Sequence, residues 1–447
     1  MGAVELGDSR RNERAVAVGS AIAAHPSWSL PEQMANWNDL RAAYRLFNEA
    51  DVSHERLSQP HWQHTQAQAQ ADPSDVVLFI QDTTELDYSG HLKTTGLGVI
   101  GKGTTQGLMV HSCLAVIPSP EHPEILGLAG QQVWARAETP LHKGSGSQRT
   151  AERTEGDKWA EMVEGIGPAP STERRLWVSV GDRESDVFSY FRRCRQQHWQ
   201  SLVRVSQNRV ITTETQVQSH LKCYARDLPA QGHKTLSLRG RNGEPKRTVM
   251  LNLAWAIVTI HPPKAGPERK SSSVQAWCIR CWEAVPNGLE WILLTTVDPA
   301  LYSPQVQVEW YANRWLIEEY HKCLKTGCRV EQRQLETADG LMNLFGFLAI
   351  VSVRLLQLRT LSRLEPDIPA EQVIPPLLLK IVRARLGLLS PHLSLAQFWQ
   401  AVARLGGFIG RTSDGQPGWQ TLWKGWIRLQ DWAWAAELAQ KRWTRLT

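Results

Sequence analysis

Three acidic residues stand where carboxylates could carry out metal-assisted phosphate chemistry. Asp82 and Asp182 each follow an apolar run, VVLFIQ and LWVSVG, which predicts a buried strand ending at an acid. Glu318 lies in the segment 305–326, whose apolar spacing predicts a helix. Carboxylate oxygens are the ligands that hard divalent ions prefer, and two such ions can activate one phosphodiester oxygen and stabilise another. Either aspartate alone is explained more simply as a loop starter or a helix cap.

The predicted helix around Glu318 also places three other functional side chains on one face. At ~100° per residue, a stripe about 60° wide contains Tyr311, Arg314, Glu318 and Lys325. A hydroxyl, a guanidinium and an ammonium beside a carboxylate favour contacts to phosphates, although an exposed helix with an Arg314–Glu318 ion pair has the same spacing. Glu319 lies off the stripe, so Glu318 is the predicted third metal ligand.

The elements predicted around these residues are those of a mixed α/β sheet. Predicted strands are 76–83, 108–117, 124–135, 176–181 and 199–206, with helices at 158–165 and 186–197 between them. The predicted domains are a helical domain at 1–70, a core formed by 71–206 and 297–361, a β-rich insertion at 207–296, and a helical region at 362–447.

Composition and charge narrow the class of protein. The chain has 447 residues, 42% of them hydrophobic, which is ordinary for a soluble globular protein. The longest apolar run, 341–353, is shorter than the ~18 residues that cross a bilayer, so we expect no membrane partner. Seven scattered cysteines favour a reducing cytoplasm, and the lone pair Cys278 and Cys281 is interpreted as ordinary strand residues.

The net charge of +6 is unevenly distributed. Between Ser206 and Trp277 there are eleven Lys and Arg against four Asp and Glu. A basic block inside a near-neutral chain favours a polyanionic partner, although a solvated face would have the same composition.

The run Y-x2-R-x3-E-x6-K around Glu318 resembles the YREK signature of bacterial insertion-sequence transposases with a DDE catalytic triad. Other segments resemble the same family, in order and over nearly the whole chain: Leu6-Gly-Asp-Ser-Arg-Arg, 42–57, Asp82-Thr-Thr, Asp182-Arg-Glu-Ser-Asp186 and 403–411. The resemblance implies a ribonuclease H-like mixed sheet core with a β-rich insertion. It also implies an N-terminal helical domain that binds the element's ends and a C-terminal helical region used for dimerisation.

The resemblance further implies a cut-and-paste reaction: a nick, a DNA hairpin, hairpin opening, and strand transfer into target double-stranded DNA by a homodimer. Asp82, Asp182 and Glu318 would hold two Mg²⁺ or Mn²⁺ ions. The implied DNA contacts are phosphate grips by Tyr311, Arg314 and Lys325, a flipped base on Trp291, weaker phosphate contacts by Arg204 and Arg209, and the basic N-terminal edge with Arg10 and Arg11. The expected location is the bacterial cytoplasm, at the nucleoid.

Two other functions stay open at this point. One is a ribonuclease H-like nuclease without strand transfer, against which the basic insertion and the phosphate stripe argue. The other is an inactive or truncated DNA-binding inhibitor of transposition. Five residues precede Leu6, fewer than members of the family usually carry there, which is the observation that keeps the second alternative open.

Overall fold

The computed structural model describes residues 2–101, 103–119, 123–137, 155–170, 175–238, 247–364, 366–387, 392–411 and 416–443. In these residues, alternating and apolar segments form twelve strands of one sheet. The strands are β1 (Val76–Asp87), β2 (Gly98–Val99), β3 (Gln106–Ile117), β4 (Glu124–Trp134), β5 (Leu176–Gly181), β6 (Gln200–Arg204), β7 (Val210–Thr213), β8 (Gln218–His220), β9 (Gly232–Leu238), β10 (Arg247–Ile260), β11 (Val274–Trp282) and β12 (Glu290–Thr295).

The strand order is β2-β3-β1-β5-β6-β12-β11-β10-β7-β8, with β4 beside β3 and β9 beside β10. At its centre β1, β5 and β6 are parallel, while β3 and β4 form an antiparallel pair. Three aromatic rings fill the core on one face of these strands: Phe79 lies 4.6 Å from Trp177 and 4.4 Å from Trp199, between ring centroids. The fold is therefore the predicted mixed α/β sheet with a ribonuclease H-like core.

The β-rich insertion continues the core sheet. Its last strand, β12, pairs antiparallel with the core strand β6, with Leu293 opposite Arg204. Strands β11 and β10 follow in the same sheet. Cys278 and Cys281 are buried in β11 as free thiols, which confirms their interpretation as ordinary strand residues.

Helices dominate both ends of the chain, as predicted. The α-helices are α1 (Ser9–Ala24), α2 (Leu30–Gln33), α3 (Trp37–Phe47), α4 (His54–Ala71), α5 (Lys158–Ile166), α6 (Phe188–Gln196), α7 (Leu221–Asp227), α8 (Pro304–Ala312), α9 (Trp315–Lys322), α10 (Ala338–Leu364), α11 (Pro376–Leu386), α12 (Leu395–Leu405) and α13 (Trp419–Trp443). One stretch of α10, Ala338–Gln357, is long and apolar enough to cross a membrane by composition, but most of it is buried inside the protein, as in a core helix.

The chain divides into two compact units. One consists of Met1–Pro60, Leu86–Leu97 and Tyr320–Thr447, and the other of His61–Glu85 and Gly98–Glu319. All three predicted metal ligands belong to the second unit.

Two predicted elements differ from the structure. The first predicted strand ends at residue 83, whereas β1 continues to Asp87, so Asp82 lies in its middle. The predicted helix 305–326 is interrupted at Asn313 and Arg314, between α8 and α9, and Cys323–Gly327 then forms a π-helical turn.

Candidate active site

The sheet register brings Asp82 and Asp182 together. The parallel pairing of β1 with β5 runs from Val76 opposite Leu176 to Ile80 opposite Val180. Asp82 lies two residues after Ile80 on β1, and Asp182 follows directly on the end of β5, close enough to Asp82 to raise its pKa. Both aspartates are partly buried. The two carboxylates are thus delivered by neighbouring strands at one edge of the core.

A glycine fixes the turn in which Asp182 lies. A Cβ on Gly181 would come within 2.6 Å of the Cβ of Ser185, so no larger residue fits at this position. Asp182 caps the short helical turn Arg183–Ser185 by accepting a hydrogen bond from the backbone N–H of Glu184 (2.8 Å). The helix-cap explanation of Asp182 is therefore correct for one of its two carboxylate oxygens.

Glu318 comes from α9, and Arg314 from the turn before it. In this turn the N–H of Arg314 donates to the carbonyl of Tyr311 (3.0 Å), and the N–H of Leu316 to that of Asn313 (2.9 Å). Such i to i+3 bonds tighten the chain to about three residues per turn. The helix predicted to run without a break over residues 305–326 is therefore wrong at this turn.

Arg314 nonetheless connects two of the carboxylates. Its guanidinium lies 3.4 Å from the Oδ2 atom of Asp82 and forms an ion pair with Glu318. Burial alone would lower the pKa of Arg314, but Asp82 and Glu318 together raise it above its ordinary value. Glu319, by contrast, is buried, and the side chain of Glu318 is 49% exposed.

The electrostatics of Asp82 show that negative charge is concentrated here. The pKa of Asp82 is raised to about 7: burial is the largest cause, Arg314 opposes it, and the neighbouring Asp182 and Glu318 add to the rise. Near neutral pH, Asp82 thus lacks enough positive charge around it to stay fully ionised.

Aromatic and basic side chains extend from Arg314 toward the insertion. Burial raises the pKa of Tyr311, and the positive charges of the nearby Arg314 and Arg204 oppose that rise, which places both guanidinium groups close to its buried hydroxyl. The ring of Trp291, on β12, meets the ring of Tyr311 edge-on at 5.1 Å between centroids. Trp291 is partly exposed, so it is not a fully buried core residue.

The three carboxylates have the chemistry that a hard divalent cation requires, but their side chains are not spaced to hold one ion. Three carboxylates supply oxygen ligands, and the raised pKa of Asp82 marks a negative charge that a cation would stabilise. Within the described ranges, no group of three acidic, histidine or cysteine side chains is placed so that it could hold one ion. Arg314 instead occupies the position of counter-ion to Asp82 and Glu318.

The other predicted DNA contacts are placed as follows. Lys325, in the π-helical turn of the first unit, forms an ion pair with Glu331 (3.0 Å). Arg11 forms an ion pair with Asp51 (2.8 Å), whereas Arg10 is exposed on α1. The contacts of Lys325, Arg11 and Arg10 do not test their predicted roles in DNA binding, which stay predictions.

Arg209 is held by a residue to which the sequence reasoning gave no role. It forms an ion pair with the buried Asp186, which also accepts hydrogen bonds from the backbone N–H groups of Ser206 (2.8 Å) and Gln207 (2.7 Å). Asp186 thus anchors the start of the insertion. The motif Asp182-Arg-Glu-Ser-Asp186 contained the signal, because an acid next to a predicted buried helix requires partners.

Comparison with known proteins finds two matching families. Residues 1–52 match the family described as transposase DNA-binding, and residues 147–354 match the family described as transposase DDE domain. The chain carries transposase domains. The DDE domain match includes Asp182 and Glu318, and Asp82 precedes it.

Among solved structures, a piggyBac transposase in a synaptic complex with hairpin DNA is similar to the chain at 11% identity and a TM-score of 0.34, over 91% of this chain and 78% of that chain. Values this low transfer neither geometry nor function.

Proposed function

We propose that this transposase cleaves the ends of a bacterial insertion sequence by a nick, a hairpin and its resolution, and then joins the freed 3′ ends to target DNA. The observation that carries the proposal is the row of neighbouring side chains from Trp291 through Tyr311 and Arg314 to Asp82 and Glu318. This row joins the carboxylates to the Trp291 ring, on which a base can stack. A simple nuclease would not require such a ring beside its carboxylates.

In this proposal Asp82, Asp182 and Glu318 hold two divalent ions, Mg²⁺ or Mn²⁺. When bound, the ions would neutralise phosphate charge, activate the attacking oxygen and stabilise the leaving oxygen. Arg314 would then leave its carboxylate partners. Its planar guanidinium could form paired hydrogen bonds with a phosphate of the DNA beside the site.

Trp291 would receive the base that leaves the stack when one strand closes on the other. Extruding a base costs a few kcal/mol, and stacking on an aromatic ring offsets part of that cost. Tyr311 contacts the Trp291 ring edge-on, and the guanidinium groups of Arg204 and Arg314 lie close to the Tyr311 hydroxyl. Lys325 is proposed to contact phosphate as a point charge, and the N-terminal helices, including Arg10, to bind the element's end sequence. We further propose a homodimer in the DNA complex.

The test is cleavage of a labelled element end with Mg²⁺ by alanine variants of the three carboxylates. Each of Asp82→Ala, Asp182→Ala and Glu318→Ala should abolish nicking while DNA binding in a gel-shift assay is largely retained. Glu184→Ala is the matched control: this acid stands two residues after Asp182, is exposed, and pairs with Lys158. It should cleave normally.

Three outcomes would contradict the proposal. Full cleavage by Glu318→Ala, together with loss of cleavage in Glu319→Ala, would show that the third ligand is Glu319 and not Glu318. If the wild type nicks DNA but forms neither hairpin nor strand-transfer products, the protein is a nuclease without strand transfer. If it binds the element's ends but cleaves nothing, it is an inhibitor of transposition.

A further inference from the structure

A buried hydrogen-bond network lies directly behind the strand that carries Asp82. His111, on the neighbouring strand β3, contacts the hydroxyl of Thr83 through Nδ1 (2.9 Å) and the side-chain carbonyl of Gln81 through Nε2 (2.9 Å). The Gln81 amide donates in turn to Ser179 Oγ on β5 (2.8 Å), to which Tyr190 also donates (2.6 Å). The network therefore crosses three adjacent strands.

The two β1 residues that His111 contacts flank Asp82 in the chain. Successive side chains of a strand point to opposite faces of the sheet. Gln81 and Thr83 therefore share the face opposite Asp82, and one imidazole ring spans both of them. His111 and Gln81 are completely buried, so the contact between them is shielded from water.

The ring itself is fixed on several sides. His111 meets Trp159 edge-on at 4.7 Å between centroids. Because the Gln81 amide nitrogen is used by Ser179, the oxygen of that amide faces His111, and Nε2 must donate to it. In the neutral ring, Nδ1 then accepts the Thr83 hydroxyl proton. Each group has one consistent role, which is the condition under which a buried polar network makes a structure rigid.

We propose that His111 is a positioning residue for the metal site, holding the β1 backbone on both sides of Asp82 so that its carboxylate is aimed at Asp182. The inference rests on the function proposed above. Groups that orient a metal ligand without touching the metal typically change metal affinity or activity 10- to 100-fold when removed. A network that merely filled the core would change folding stability alone.

The experiment measures Mn²⁺ binding to the full-length, DNA-free protein by electron paramagnetic resonance, in parallel with Mn²⁺-dependent cleavage. His111→Leu keeps an apolar side chain against Trp159 but removes both hydrogen bonds. Thr83→Val removes one hydroxyl at nearly constant volume. We expect His111→Leu to weaken Mn²⁺ binding at least about tenfold, Thr83→Val to weaken it less, and His111→Gln, which can still reach Gln81, to recover part of the loss.

Ser112→Ala is the matched control, because Ser112 is the next residue of β3 and accepts a buried hydrogen bond from Gln131 (2.8 Å). It should lower thermal stability without changing Mn²⁺ affinity. Wild-type affinity in His111→Leu would overturn the inference, as would an equal loss in Ser112→Ala or no Mn²⁺ binding by the wild type. If His111→Leu does not fold, Thr83→Val decides: unchanged affinity in that variant also overturns the inference. If the wild type binds Mn²⁺ but cleaves no DNA, the proposed function fails while the binding comparison still tests His111.

Discussion

The raised pKa of Asp82 leads to a prediction about stability in the absence of divalent ions. Burial, with Asp182 and Glu318 nearby, raises this pKa from 3.8 to about 7. Between these values the folded protein keeps a proton that the unfolded chain has lost, so stability falls as the pH rises from about 4 to 7. At ~1.4 kcal/mol for each tenfold change in the acid constant, the loss amounts to at most about 4 kcal/mol above pH 7.

Asp82→Asn removes this charge at constant volume. The variant should match the wild type near pH 4 and be more stable above pH 7, and the difference should have its midpoint between these values. The side chain of Asp82 is 17% exposed, so solvent screening reduces the effect only moderately. For a unit of this size, with roughly 2 °C per kcal/mol, the variant should melt up to about 8 °C higher at pH 8.

The measurement is thermal unfolding followed by circular dichroism from pH 4 to 8, with a chelator present. Comparing the variant with the wild type cancels the titration of every other group. Adding Mg²⁺ at pH 8 should then stabilise the wild type and not Asp82→Asn. Identical pH dependence of the two proteins would refute the electrostatic account of the site.

Three further predictions concern other parts of the molecule. Trp291→Ala should slow hairpin formation about 5- to 150-fold, the loss of ~1–3 kcal/mol of stacking, and leave nicking unchanged in a gel time course; equal slowing of both steps would make Trp291 a packing residue. Arg314→Gln removes the cation that lowers the pKa of Asp82, so without divalent ions or DNA the midpoint of the pH-dependent loss of thermal stability should move to higher pH, and an unmoved midpoint would count against the pairing. Arg333→Ala leaves the carbonyls of Pro26, Trp28 and Cys328 without their buried donor. The free energy of unfolding should fall by at least about 2 kcal/mol, which a lower melting temperature would show. An unchanged melting temperature would show that water replaces the guanidinium as donor.

The sheet and its two aspartates could be predicted because their signals are local. An apolar β-branched run followed by an acid indicates a strand and its polar end without knowledge of the neighbours. That Asp82 lies opposite Asp182 depends on parallel pairing between residues about one hundred positions apart, which no local pattern encodes. The resemblance to transposases, and not periodicity, indicated that the two aspartates share one site.

The interrupted helix shows where local reasoning fails. The segment around Asn313 and Arg314 contains neither proline nor glycine, and its residues are compatible with a helix. The turn places the Arg314 guanidinium against Asp82, a contact across the fold that sequence periodicity cannot anticipate. Glu318 and Glu319 are neighbours in the uninterrupted helix α9 and therefore face different directions. Glu318 is exposed and Glu319 is buried, as expected if Glu318 is the ligand that a metal ion could reach.

His111 was equally invisible in the sequence. A lone histidine in an apolar strand gives no signal of function, and its partners on β1 become evident only when β3 lies beside that strand. The ion pair between Asp186 and Arg209 was missed although Asp186 belongs to the motif Asp182-Arg-Glu-Ser-Asp186, because the first aspartate of that motif already had a role.

The pairing of β12 with β6 has a consequence for how the gene could be shortened. In the sequence, 207–296 looks like a removable cassette between two halves of the core. In the sheet, removal of 207–296 would remove β12, the neighbour of β6, and make β6 an edge strand. Its backbone N–H and C=O groups beside the apolar Leu202 and Val203 would then have no partners. Exposed edges of this kind template aggregation between molecules. A deletion mutant would therefore be expected in inclusion bodies, whereas shortening the chain between β9 and β10 would leave the β6 edge covered.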